Sequence, residues 1–167
     1  APPHPQNMSS ALYISDLDGT LLRPDGTLSP ASRDGLNRLI ADGLHFTVAT
    51  ARSVASIRHL LAGLDLHLPV VNLNGALLSD VSSGRHQYVQ AIPPEIAAVV
   101  YEQTRAMGPY PFISTCGAHG DALYYSRVEN AGMQWFVYDQ LDADQEGKHR
   151  RFAAYRPPLK RRSIGRD

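Results

Sequence analysis

The segment Ala11 to Leu22, Ala-Leu-Tyr-Ile-Ser-Asp-Leu-Asp-Gly-Thr-Leu-Leu, constrains the fold more than any other. An apolar run ends in two carboxylates two residues apart, and a Gly-Thr pair follows before apolar residues resume. A short apolar run closed by glycine reads as a buried strand of a parallel sheet. Side chains alternate along a strand, so Asp16 and Asp18 are expected to lean the same way, with Leu17 turned toward the protein body. Gly19 permits a left-handed exit from the strand, and the Thr20 hydroxyl is expected to tie the turn. Two carboxylates held this close are costly to keep ionised unless a cation lies between them or one carries a proton. Both arrangements suit phosphoryl transfer, in which Mg²⁺ takes oxygen ligands from carboxylates and phosphate. One Asp would attack phosphorus while its neighbour handles the proton. The alternative is an Asp-rich turn whose carboxylates cap backbone amides.

The following segments keep a strand and helix rhythm. Ser29-Pro30 offers a capping side chain and a proline for a first helical turn; Leu36, Leu39 and Ile40 form an apolar stripe before Asp42-Gly43. Leu44 to Thr50 reads as a mostly apolar strand that stops at a hydroxyl residue, with Arg52 two positions on. Ser53 to Leu64 carries Val54, Ile57, Leu60 and Leu61 at helical spacing, and Pro69 to Ala76 is a third strand running into Asn74-Gly75. Taken alone, Thr50 reads as an ordinary strand end and Asn-Gly as a tight bend. Three strands alternating with two helices predict an α/β fold with a doubly wound, Rossmann-like parallel sheet. Ligands bind beyond the carboxyl ends of such strands, where Asp16, Asp18, Thr50 and Asn74 all fall.

At Asp16-Leu17-Asp18-Gly19-Thr20 the chain resembles the haloacid dehalogenase-like (HAD) superfamily of phosphohydrolases, whose first motif is a strand followed by DxDGT. The resemblance implies that Asp16 is the nucleophile of an aspartyl-phosphate intermediate and that Asp18 is the general acid, then the base. It also implies Mg²⁺, held by the Asp16 carboxylate and the backbone carbonyl of Asp18. The superfamily's second motif ends a strand in Ser or Thr, and Thr50 matches it. Cof-type (class IIB) members read Thr-Gly-Arg there, against Thr50-Ala51-Arg52 here, a departure confined to Ala51. Asn74-Gly75-Ala76 matches an Asn-Gly-Ala that faces the phosphate in those relatives. Gly19, Thr20, Thr50, Arg52, Asn74 and Gly75 are thus the implied phosphate- and substrate-binding residues.

Leu77 to Ala91 reads as a hairpin with Ser82-Ser83-Gly84 as its turn. A second lobe then starts with a helix from Pro93-Pro94 that carries Ile96, Val99, Val100 and Thr104 and breaks at Met107-Gly108-Pro109. Phe112–Ser114 and Leu123–Tyr125 are short runs suited to paired strands, and Met133 to Leu141 reads as helical. This order resembles the first half of a class IIB cap, the small α/β lobe that selects substrate. Tyr124, Tyr125, Trp135 and Tyr138 are candidates to line a pocket, although aromatics at such spacing commonly belong to a core.

Two motifs of the superfamily have no match: a third, a Lys or Arg, and a fourth, an acidic cluster completing the metal site. The chain is therefore read as truncated before both, with an incomplete core and a partial cap. Its 167 residues fall short of the roughly 250 that a core with a large cap requires. Lys148 and Lys160 sit in a polar tail, and Asp139, Asp142 and Asp144 read as a solvated helix end. The expected division is an N-terminal tail over 1–10, a core over 11–91, a partial cap over 92–144 and a basic tail over 145–167. Ala1 to Asn7 has no apolar core for a signal peptide, and Met8 is a candidate start. No run reaches the length of a membrane span. The single cysteine, Cys116, excludes an intrachain disulfide and fits a cytoplasmic setting. The seven His show no metal-ligand spacing.

Charge sums to zero, but residues 145–167 carry a net +6 and the rest −6. A disordered or altered end explains that tail better than a membrane or nucleic-acid contact, and neither partner is expected. In the superfamily the first strand lies mid-sheet, so an incomplete core leaves it as an open edge, which predicts a homodimer or a partner strand there. The leading expectation is a Mg²⁺-dependent phosphomonoesterase acting on a small sugar phosphate or similar metabolite. Its alternative is a catalytically impaired relative that binds phosphate or a protein partner; a nucleic-acid adaptor is a third and weaker idea.

Overall fold

A computed structural model gives the structure and describes residues 11–108, 110–116, 121–125 and 127–134. Strand β1 (Leu12–Asp16) is followed by helix α1 (Pro30–Ala41), strand β2 (His45–Ala49), helix α2 (Val54–Arg58) and strand β3 (Val70–Asn72). Ser29 caps α1 by accepting the Ser32 amide, Pro30 takes its first turn, and Gly43 leaves it at φ 98°. Ser53 caps α2 in the same way through the Ser56 amide. The helix predicted through Leu64 is shorter than expected. Beyond Arg58 the chain tightens into turns, with the Ala62 amide reaching His59 and the Leu64 amide reaching Leu61, and Gly63 sits at φ 80°.

The sheet has the order β1-β2-β3-β4-β5, where β4 is Leu77–Ser79 and β5 is His86–Val89. β1, β2 and β3 pair in parallel, whereas β4 and β5 add the antiparallel hairpin expected from Ser82-Ser83-Gly84. The α/β class with a mainly parallel sheet is therefore present. Asp80 holds the hairpin loop by accepting from the Ser82 hydroxyl and from the Ser83 amide and hydroxyl.

One core joins the sheet to its helices. Phe46, Val48 and Val70 from the strands meet Val54 and Ile57 of α2, together with Leu17, Leu22, Leu61 and Leu64, and Leu36 and Ile40 of α1 pack against them. Each such side chain contributes about 1.5–3 kcal/mol when fully buried. Among the described residues coverage ends at β1, the terminal strand of the sheet, whose Leu12, Tyr13 and Ile14 are all exposed.

The chain divides between Ala91 and Ile92 into two compact units. The second holds helix α3 (Pro94–Ala106), the antiparallel strands β6 (Ile113–Thr115) and β7 (Ala122–Tyr124), and helix α4 (Ala131–Gln134). Its aromatics pack locally. Phe112 meets Tyr125 edge to face at 5.9 Å, and the Arg105 and Arg127 guanidinium groups lie 3.9 and 4.8 Å from the Tyr110 ring centre. Helix α4 starts two residues before the expected Met133, because the Asn130 side chain accepts the Met133 amide and sets the first turn. The rest of that predicted helix, with Trp135, Tyr138, Asp139, Asp142 and Asp144, lies outside the described residues, as do Lys148, Lys160 and the basic tail.

Candidate active site

Parallel pairing brings three strand ends to one level. Asp16 pairs with Ala49, and Ala49 with Val71, so the turns that follow β1, β2 and β3 leave the sheet side by side. The candidate residues lie on these turns.

The first turn departs from simple strand alternation. β1 ends at Asp16, and Leu17–Leu21 wind into a wide turn closed by the Leu22 amide on the Leu17 carbonyl at 2.9 Å. Leu17 is fully buried and anchors the turn, as its inward orientation predicted. The Asp16 Oδ1 accepts the Leu17 amide at 2.8 Å. Asp18 therefore sits in the turn, with extended backbone (φ −74°, ψ 121°), rather than continuing the strand. Gly19 follows at φ 74°, and a side chain there would meet nothing within 4 Å, so backbone conformation and not crowding requires glycine. The Thr20 hydroxyl does not tie the turn: it is exposed and makes no hydrogen bond among the described residues. The backbone closure from Leu22 to Leu17 does that work instead.

Thr50 is buried directly after β2. Its amide donates to the Val71 carbonyl at 2.9 Å, its carbonyl accepts the Asn74 amide at 3.1 Å, and its Oγ1 accepts the Arg52 amide at 3.2 Å. The hydroxyl proton is left to donate elsewhere. A second backbone bond, from the Leu73 amide to the Arg52 carbonyl at 3.1 Å, fastens the same two loops. The third turn is left-handed at three successive residues: Leu73 at φ 48°, Asn74 at φ 54° and Gly75 at φ 91°. Asn and Gly accept this region readily, but a Leu there costs about 1–2 kcal/mol.

The strongest polar contact is the Arg52 fork on Asp18. Arg52 Nε donates to Asp18 Oδ2 and Nη2 to Oδ1, both at 2.8 Å, across 34 residues of sequence. These hydrogen bonds hold the Asp18 carboxyl below its ordinary range and outweigh the opposing effect of burial, while the guanidinium charge adds a lesser push in the same downward direction. The same pairing raises Arg52. With side-chain exposures of 53 % for Asp18 and 22 % for Arg52, the pair contributes on the order of 0.2–1 kcal/mol.

Asp18, Thr50, Arg52 and Asn74 are thus linked directly, and Asp16 stands level with Ala49, one residue before Thr50. Gly19, Thr20 and Gly75 occupy the same turns without joining these bonds. For a magnesium ion the donor chemistry fits: Asp16 has a carboxylate oxygen with no hydrogen-bond partner among the described residues, and Mg²⁺ takes oxygen ligands while keeping several waters. A hollow lined by Ile40, Leu44, His45, Phe46, His67 and Leu68 opens at the opposite end of β2, away from the carboxylates.

Sequence reading missed two features. The pairing of Asp18 with Arg52 leaves no local pattern. The buried Asn72 and Ser79 also form an array with His86: the Ser79 hydroxyl donates to Asn72 Oδ1 at 2.7 Å and lies 2.8 Å from His86 Nδ1. Since Ser79 has one proton, that second contact requires the proton on His86 Nδ1. An Asn inside an otherwise apolar strand was the available sign. Its Nδ2 has no partner among the described residues.

The chain is similar to known proteins in sequence and in fold. A family profile described as haloacid dehalogenase-like hydrolase matches residues 13–160. The HMP-PP phosphatase of an Enterobacter species is 36% identical over 93 residues, which is 56% of this chain and 34% of that protein. The 5-amino-6-(5-phospho-D-ribitylamino)uracil phosphatase YitU of Bacillus subtilis is 38% identical over 78 residues, 45% of this chain and 29% of that protein. Among solved structures, a HAD phosphatase from Bacteroides thetaiotaomicron superposes with a TM-score of 0.60 at 21% identity, covering 80% of this chain and 48% of that one. A subclass IIB sugar phosphatase superposes with a TM-score of 0.60 at 24% identity, over 78% and 49% of the respective chains. The matches thus span about a third of the length of these curated relatives and about half of these solved structures.

Proposed function

The chain belongs to the haloacid dehalogenase-like hydrolase family, and from that premise we propose that it serves the hydrolysis of a small phosphate monoester through an aspartyl-phosphate on Asp16. The observation that carries this reading is the common level of the three strand ends, which sets Asp16 beside the Thr50 turn and ties Asp18 to it through Arg52. The activities of the relatives, phosphatases of HMP-PP, of a phosphoribitylamino-uracil and of a sugar, support a small phosphorylated metabolite as substrate.

In this mechanism an Asp16 carboxylate oxygen bonds to phosphorus as the bond from phosphorus to the leaving oxygen breaks, and Asp18 gives that oxygen its proton. Water then attacks the same phosphorus, the bond to Asp16 breaks, and Asp18 takes the proton back. Thr50 donates its hydroxyl to a phosphoryl oxygen. Gly19, Thr20, Arg52, Asn74 and Gly75 supply the remaining donors around the phosphate. The Asp16 carboxylate and the Asp18 backbone carbonyl would hold Mg²⁺, which when bound neutralises charge on the phosphoryl oxygens. A core over 11–91 carries these groups, a partial cap over 92–144 selects substrate, and the lone Cys116 supports a cytoplasmic setting.

The direct test is hydrolysis of an aryl phosphate with and without Mg²⁺, beside an Asp16→Asn variant. Metal-dependent turnover that disappears in the variant is expected. A folded wild type no faster than the variant overturns the hydrolase reading and leaves the second one, phosphate binding without turnover. That second reading is favoured by one contact: both Asp18 carboxylate oxygens are engaged by Arg52 rather than free to give a proton to a leaving oxygen. We also place association on β1, with a further strand from a second copy or a partner pairing at its open apolar edge. A monodisperse monomer in sedimentation velocity overturns self-association, and a monomer that captures no partner strand overturns both forms.

A further inference from the structure

Arg52 and Asp18 have so far been given separate tasks, one toward phosphate and one toward the proton. Their geometry sets those tasks against each other. The guanidinium edge formed by Nε and Nη2 is occupied by both carboxylate oxygens at 2.8 Å. A phosphate presents a pair of oxygens to a guanidinium in the same bidentate way, so carboxylate and phosphate are rivals for one edge. Arg52 has little freedom to offer another approach. Its carbonyl is bonded to the Leu73 amide and its amide to Thr50 Oγ1, and its side chain is largely covered, whereas Asp18 is half exposed on a turn. Asp18 is therefore the member that can leave.

We propose that the Asp18–Arg52 ion pair is a latch on the phosphate site, in which bound phosphate takes the Arg52 edge and releases the Asp18 carboxylate toward the reacting centre. This rests on the reading of these turns as a phosphate site, and it adds an order of events: Asp18 becomes available when phosphate arrives. Arg52 acts here as a positioning residue for Asp18.

The test is titration with inorganic phosphate, without divalent metal, followed by NMR of the Arg52 Nε–H and of backbone amides. Asp18→Asn removes the rival and one negative charge, whereas Asp16→Asn removes the same charge without touching Arg52. The latch predicts that Asp18→Asn tightens phosphate about two- to fivefold beyond the gain from Asp16→Asn, the range set by an exposed ion pair. It also predicts that Arg52→Gln abolishes the extra gain, and that Arg52→Lys, which keeps the charge but loses the fork, retains only part of it. In the wild type, phosphate should move the Arg52 Nε–H signal toward its position in Asp18→Asn. Equal gains from the two Asp variants overturn the latch and leave the phosphate site standing, as would happen if phosphate used the opposite, Nη1 edge. No phosphate binding in any folded variant overturns the latch and the phosphate site together. The metal-dependent hydrolysis assay fails or succeeds separately from all of these outcomes.

Discussion

Strands β1 and β2 lie side by side in parallel register from Leu12–His45 to Asp16–Ala49 and draw on similar residues, yet they differ sharply in burial. Phe46, Thr47 and Val48 of β2 are 7, 4 and 0 % exposed, whereas Leu12, Tyr13 and Ile14 of β1 are 56, 50 and 52 % exposed. A strand's composition records the environment it suits; its neighbours decide the environment it has. Among the described residues β2 has a strand on each side, and β1 has one. The proposed nucleophile thus ends the least covered strand of the parallel set, while the loops that would grip phosphate hang from its best covered strands.

The largest test of this contrast compares two isoleucines. Ile57→Ala, in the fully buried core, is expected to cost about 2–5 kcal/mol in urea unfolding, against about 1 kcal/mol for Ile14→Ala on β1. Equal costs would break the comparison, because Ile14 would then be covered in solution. Next come the turns. Asn74→Val forces a β-branched residue into the left-handed region and is expected to cost about 1–2 kcal/mol, whereas Thr20→Val on the exposed first turn should stay within about 0.5 kcal/mol in the same assay. Ile14→Lys places a charge on the open edge; its stability should change by less than about 1 kcal/mol while any self-association seen in sedimentation is lost.

The smallest effect belongs to the sheet's far side. Hydrogen bonds from the Ser82 hydroxyl, then from the Ser83 amide and hydroxyl, depress Asp80 to about 2. A depressed carboxyl stabilises the fold above its unfolded value near 3.8 and loses that contribution as pH falls toward 2. Asp80→Ala is therefore expected to melt below wild type near neutral pH and to converge with it near pH 2. A constant gap between the two melting curves would sink this assignment.

Much of this arrangement was legible because it is local. The apolar run before Asp16, the hydroxyl of Thr50 after β2 and the Asn74-Gly75 bend each mark a strand end, and parallel pairing brings such ends together. Ser29-Pro30 and Asp42-Gly43 likewise marked the limits of α1. What escaped depends on pairing at a distance. Strand alternation put Leu17 inward, but it gave no sign that the chain winds into a turn at Leu17, where the Arg52 fork holds the Asp18 carboxylate. Thr20 was assigned a tie that backbone closure makes unnecessary. The positive φ of Leu73 was hidden behind an apolar residue type that ordinarily extends a strand.

The two amide bonds that fasten the Leu73–Asn74 bend to Thr50 and Arg52 have a consequence in time as well as in space. Neither amide can trade its proton with deuterated solvent until the loops part, and parting one bond strains the other. Once intrinsic exchange rates are divided out, both protons should therefore show a single shared opening free energy, set by separation of the loops and unaffected by fraying along β1. The grip after β2 and the grip after β3 are in this sense one moving part.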